Sequence, residues 1–132
     1  MAYWLLKTEP STYSFADLQR DQETRWDGIT NPVALKHLKS AKTGEQALVY
    51  HTGDEKSAVG VAEIVKAAYP DPKDQKLSVV DLRVKQPLKK PVTLATLKAD
   101  PLFEASPLVR QGRLSFVPLT DEQWRRILEL AK

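Results

Sequence analysis

The sequence predicts an α+β domain in which five or so short, mostly antiparallel strands, with helices set between them, form a twisted sheet curling toward a small barrel. Three observations carry that expectation. Strand-like alternation recurs in short segments, helix starts with good capping residues stand between those segments, and 132 residues suffice for one core but not for two ordinary domains. Residues 1–132 are therefore expected to be a single domain.

The first strand is read at 3–8, where Tyr3, Leu5 and Lys7 face one way and Trp4, Leu6 and Thr8 the other, with Pro10 ending it. Ser14 opens a short helix: it can cap the amide three residues on, Asp17 lies near the positive helix end, and Phe15 and Leu18 face the core. Asn31-Pro32 starts a second helix running to about Lys39, with Val33, Ala34 and Leu38 inward and Lys36, His37 and Lys39 outward. A turn at 42–45 leads into three strands at 46–52, 58–66 and 77–85, separated by turn-forming stretches at 53–56 and 70–74 and expected to be antiparallel neighbours.

In the last of these Val80, Leu82 and Val84 alternate with Asp81, Arg83 and Lys85, so one face is buried and the other wet. The middle one is apolar on both faces, and its isolated Gly60 fits close packing rather than a phosphate cradle. Thr93 caps a short helix, a last strand is read at 113–117, and Thr120 with Gln123 forms a capping box. The closing helix carries Trp124, Ile127, Leu128 and Ala131 on one stripe.

Composition narrows the function. Without cysteine there are no disulfides, no thiolate nucleophile and no thiolate-bound zinc. The two histidines, His37 and His51, have no metal-ligand spacing, and no glycine-rich phosphate loop is present, so neither a metal nor a cofactor is expected. No apolar run is long enough for a membrane span, and the N-terminus lacks the layout of a secretory signal, so a cytoplasmic monomer is the expectation. A net charge of +3 permits a polyanionic partner without requiring one.

Three stretches point to such a partner: Tyr3-Trp4-Leu5-Leu6-Lys7-Thr8-Glu9-Pro10, Arg25-Trp26-Asp27-Gly28-Ile29-Thr30-Asn31 and Leu48-Val49-Tyr50-His51-Thr52-Gly53. Each sets an aromatic ring beside hydroxyl, amide or carboxylate groups where a strand runs out into a loop. Stacking on a ring gives affinity for a flat heterocycle and edge hydrogen bonds give choice, so the pattern suits a pocket for an unstacked base. Trp26 reads equally as a stacking surface and as a core anchor, whereas strand alternation favours the core for Trp4 and helical periodicity for Trp124.

Asp27 can accept from a base amine while Gly28 and Asn31 supply backbone and amide contacts, and a plain Asx turn reads as well. Tyr50, His51 and Thr52 end a strand at the rim. Lys7, Lys36, Lys39, Arg110 and Arg113 are spaced so that several can meet phosphates, Lys7 from the edge of the pocket itself. Two rivals stand beside base binding: an enzyme acting on a nucleobase or nucleoside with Asp27 and His51 as acid or base, and a module binding a protein or a small heterocycle.

Taken in order, the stretches resemble the EVE domain of the PUA-like superfamily. The family's Trp-Leu-Met-Lys-Ser-Glu-Pro start is matched by residues 4–10, its Trp-Asp-Gly-Val-Arg-Asn block by residues 26–31 and its Phe-Tyr-His-Ser block by Val49-Tyr50-His51-Thr52. Glu-Ala-Tyr-Pro-Asp is similar to residues 67–71, and Arg-Leu-Ser-Val to residues 113–116. The resemblance implies a pseudo-barrel whose pocket holds a modified base flipped from DNA or RNA, without catalysis. Carried over by position, Trp4 and Trp26 line or support the pocket, and Thr8, Asp27, Asn31, Tyr50, His51 and Thr52 edge it. The chain departs from the family at Thr30 and Pro32, where Arg and Tyr are usual, and at Leu35-Lys36, where Arg-Asn is usual; the loop after Pro72 is shorter.

Overall fold

A computed structural model describes residues 2–132. Six strands form one sheet: β1 (Tyr3–Thr8), β2 (Glu23–Trp26), β3 (Gln46–His51), β4 (Ser57–Asp71), β5 (Asp74–Thr93) and β6 (Phe116–Leu119). Helices α1 (Phe15–Asp21), α2 (Pro32–Ser40), α3 (Leu94–Lys98), α4 (Pro107–Arg110) and α5 (Asp121–Leu130) cover it. The strand order is β2-β5-β4-β3-β1-β6, so β2 and β6 are free edges and the barrel is not closed by a ladder.

The helix starts obey local chemistry. Ser14 accepts from the Asp17 amide at 3.1 Å while the Asp17 carboxylate accepts from the Ser14 amide at 2.9 Å, and Thr120 and Gln123 repeat that box at α5. Asn31 accepts from the amides of Val33 and Ala34, and Pro32 takes the first helical position. Ala34 and Leu38 are buried, but Val33 is turned to solvent.

Every pairing is antiparallel except β1 with β3, which run parallel. The chain between these two passes through α1, β2 and α2, the long crossover that a parallel pair requires. β1 thus lies between β3 and β6 with Trp4, Leu5 and Leu6 all buried. Trp124 of α5 stacks on Tyr3 with ring centroids 4.5 Å apart, the packing role expected of it.

The strands differ from the sequence expectation in number and in bounds. The four-residue edge strand β2 is an addition to the five expected. β4 and β5 run beyond 58–66 and 77–85, as a bent hairpin whose register shifts at several bulges accommodate Pro70, Pro87 and Pro91. The last strand starts at Phe116 and includes Pro118, which an edge strand tolerates because the missing amide can face away from the ladder. Gly60 is as expected: a Cβ there would overlap the ring of Phe15, so α1 lies flush on β4 only over a glycine.

Candidate nucleic-acid interface

The open seam of the barrel holds a cavity of about 410 Å³. One side comes from edge strand β2 and the turn after it: Thr24, Arg25, Trp26, Asp27, Gly28 and Ile29. The other comes from the end of β1 and the approach to β6: Lys7, Thr8 and Ser115, with Thr12 and Tyr13 of the β1–α1 loop closing one end. On this second side the Lys7 amide donates to the Ser115 carbonyl at 2.9 Å, continuing the β1–β6 ladder to the rim of the cavity.

Two rings form a corner. Tyr13 and Trp26 meet edge-on, with centroids 6.3 Å apart and planes at 85°. Thr8 fixes the first ring by donating its hydroxyl to the Tyr13 carbonyl at 2.7 Å, and the Tyr13 phenol donates to Asp21 at 2.9 Å. Burial holds that phenol above its ordinary pKa, so Tyr13 stays a neutral donor. Trp26 belongs to the core as well as the wall: it is only 6% exposed, so a narrow strip of indole meets the cavity.

Asp27 stands exposed at the mouth in no ion pair among the described residues, and Gly28 turns the chain there with φ +80, a conformation that strains any residue carrying a Cβ. Lys7 sends its ammonium to the Gly112 carbonyl at 2.9 Å, and burial lowers its pKa. The guanidinium of Arg25 donates to Tyr69, whose phenol donates to Asp81 at 2.6 Å.

Of the expected pocket residues, the structure brings together Lys7, Thr8, Trp26, Asp27 and Gly28. The rest lie elsewhere, for identifiable reasons. Trp4 lies at the other end of β1 from Lys7 and Thr8, where its indole N–H donates to the buried Glu45 carboxylate at 3.0 Å. Asn31 spends its side-chain oxygen on the α2 amides. His51 is buried; its Nε2 accepts from the Phe15 amide at 3.0 Å, which leaves the ring proton on Nδ1, 3.0 Å from Glu55. It thus caps α1 and does not share the cavity with Asp27. Tyr50 and Thr52 line a second, smaller groove with Lys7.

Lys36, Lys39 and Arg113 are exposed and line neither space, while Arg110 is tied to the Glu104 carbonyl at 2.8 Å. Sequence reasoning missed Thr12, Tyr13, Thr24, Arg25, Ile29 and Ser115. Tyr13 had one available signal, an aromatic in a polar loop just after a strand. The departures at Thr30, Pro32, Leu35 and Lys36 all fall outside the cavity lining. Among the described residues no group of three or more histidine, cysteine or acidic side chains could hold a metal.

The EVE domain model matches residues 2–130. The chain belongs to the EVE domain family. Human thymocyte nuclear protein 1 is 32% identical over 166 aligned positions, covering 98% of this chain and 73% of its own length. Among solved structures, that of a Rhodopseudomonas palustris protein superposes with a TM-score of 0.93 at 38% identity, over 99% of this chain and 93% of its own. The crystal structure of human THYN1 in complex with 5-methylcytosine containing DNA superposes with a TM-score of 0.92 at 29% identity, over 100% and 98%. The EVE fold of this chain is therefore a PUA-like pseudo-barrel.

Proposed function

We propose that this protein binds nucleic acid carrying a modified base, that the base swings out of its strand into the seam cavity, and that no turnover follows. The observation that supports this most is the cavity itself. Its volume falls within the roughly 300–1,000 Å³ of small-ligand sites, and it joins two perpendicular rings to an exposed carboxylate. A planar heterocycle resting on one ring meets the edge of the other. Asp27 accepts from an exocyclic amine such as that of cytosine or adenine. The hydroxyls of Thr12 and Thr24 serve the other polar edges, the Thr8 oxygen, whose proton is given to the Tyr13 carbonyl, can still accept, and Ile29 offers an apolar contact for a methyl group.

The human relative in complex with 5-methylcytosine DNA, nearly identical in fold, supports the same class of ligand, and modified RNA is the second substrate to test. The non-catalytic reading is supported by the separation of Asp27 from His51, whose Nε2 is engaged by the Phe15 amide of α1 and whose Nδ1 is engaged by the Glu55 carboxylate. We place its work in the cytoplasm, as a monomer, on the cysteine-free and mildly basic composition.

The test titrates the protein with matched oligonucleotides, DNA and RNA, carrying cytosine or 5-methylcytosine. Tighter binding of a methylated strand, weakened by Asp27→Ala, is the expected result. Equal binding of methylated and plain strands by wild type, or chemical change in the recovered strand, contradicts the proposal.

A further inference from the structure

We infer that the groove beside the cavity, built on Lys7, Lys56 and Lys98, carries the sugar-phosphate backbone of the strand whose base enters the seam. The groove measures about 170 Å³, and Lys7 lines both spaces, so a strand leaving the cavity past Lys7 enters it directly. None of its lining residues is acidic. Glu9, the carboxylate packed against Gly53 at its rim, is already turned to the amide and hydroxyl of Ser11. Lys56 and Lys98 stand in no ion pair among the described residues.

The cations are placed by backbone constraints. Lys56 holds φ +43, a left-handed conformation unfavourable for a residue with a Cβ, and its carbonyl is pinned by the Leu94 amide at 2.8 Å. Lys98 is on α3, the short helix that this amide opens, so the Leu94–Lys56 bond and the adjoining Ser57–Thr93 pair of the β4–β5 ladder tie the backbone at Lys56 to the start of the helix that carries Lys98. The third cation rests over the ring of Tyr50, its nitrogen 5.6 Å from the centroid. Leu94 and Leu108 supply an apolar floor on which a sugar can lie.

Three basic groups along one trough whose lining holds no carboxylate suit the successive charges of a polyanionic chain better than a lone anion. This deepens the base-binding proposal and rests on it. It also replaces the α2 lysines as the expected phosphate contacts, since those line neither space.

The experiment measures affinity for a methylated and a plain oligonucleotide over a range of salt, for wild type, Lys56→Ala/Lys98→Ala and Lys36→Ala/Lys39→Ala. Each lost phosphate contact removes roughly 0.7 from the slope of log K against log salt on a single strand, so the groove pair is expected to lose about 1.4 and the α2 pair little. The ratio of methylated to plain affinity should not move, because phosphate contacts carry no base information. Lys98→Gln alone, with a helical backbone at the altered position, should lose about half as much and guards against misfolding of the double variant. An unchanged slope in the groove pair overturns the inference. A wild type that binds both strands equally sinks the base-binding proposal while the slope on the plain strand still decides the groove; absence of any binding sinks both.

Discussion

Trp26→Ala separates the two parts this indole plays. At 6% exposure nearly the whole ring is packed, and replacing a buried Trp by Ala costs about 3–5 kcal/mol through lost transfer energy and the void left behind. With a urea m-value of about 2 kcal/mol/M, the unfolding midpoint should fall by about 1.5–2.5 M, a large share of the roughly 5–15 kcal/mol of a typical domain. A fully open stacking face is worth about 1–3 kcal/mol per base, and the narrow strip of Trp26 in the cavity puts its share near the lower end, about fivefold in affinity. Stability should therefore suffer more than binding. The assay pairs urea unfolding followed by circular dichroism with oligonucleotide titration under conditions where the variant is folded. Tyr13→Leu should show the reverse order, because Tyr13 is only half-buried. A midpoint shift under about 0.5 M for Trp26→Ala, or unchanged affinity for the methylated strand, refutes the reasoning.

Other substitutions probe the frame. Gly60→Ala should cost about 1–3 kcal/mol by driving a methyl into the Phe15 ring, and adding Phe15→Leu should recover part of it in the same unfolding assay. Trp4→Phe should weaken the fold by about 1–3 kcal/mol, by leaving Glu45 short of the indole N–H, while affinity of the folded protein for oligonucleotide stays within twofold. Burial alone would raise the pKa of Glu45, but the hydrogen bonds from Trp4, Lys42 and Ala2 outweigh it and hold the carboxyl below 4.5. A depressed folded pKa gives stability that is present above the unfolded value and lost as pH falls through the folded one. Glu45→Gln should therefore be less stable than wild type at pH 7, with the gap narrowing below about pH 4.5 in urea unfolding across pH.

The helices were legible because their caps are local. Ser14 with Asp17, Asn31 with Pro32 and Thr120 with Gln123 each announce a start that needs no distant partner. β2 left no such mark, since Glu23-Thr24-Arg25-Trp26 pairs on one side only and buries a single side chain. The far half of β5 reads as loop because Pro87 and Pro91 lie among lysines, and only the bulged ladder with β4 makes it strand. The cavity was half legible for a similar reason. The residues of 24–29 are contiguous in sequence, whereas Tyr13 and Ser115 reach them only because the sheet curls until its two edges face each other. Trp4, Asn31 and His51 matched family positions, yet each is occupied by a hydrogen bond whose partner, Glu45, the α2 amides or the Phe15 amide, local spacing does not rank above a ligand.

The most direct measurement of the central claim is an amide NMR titration of the protein with a short 5-methylcytosine strand. Shifts concentrated at residues 7–8, 12–13, 24–29 and 115, and weaker with the unmethylated strand, are the predicted result. Shifts of equal size with both strands, or confined to surfaces away from the seam, contradict it.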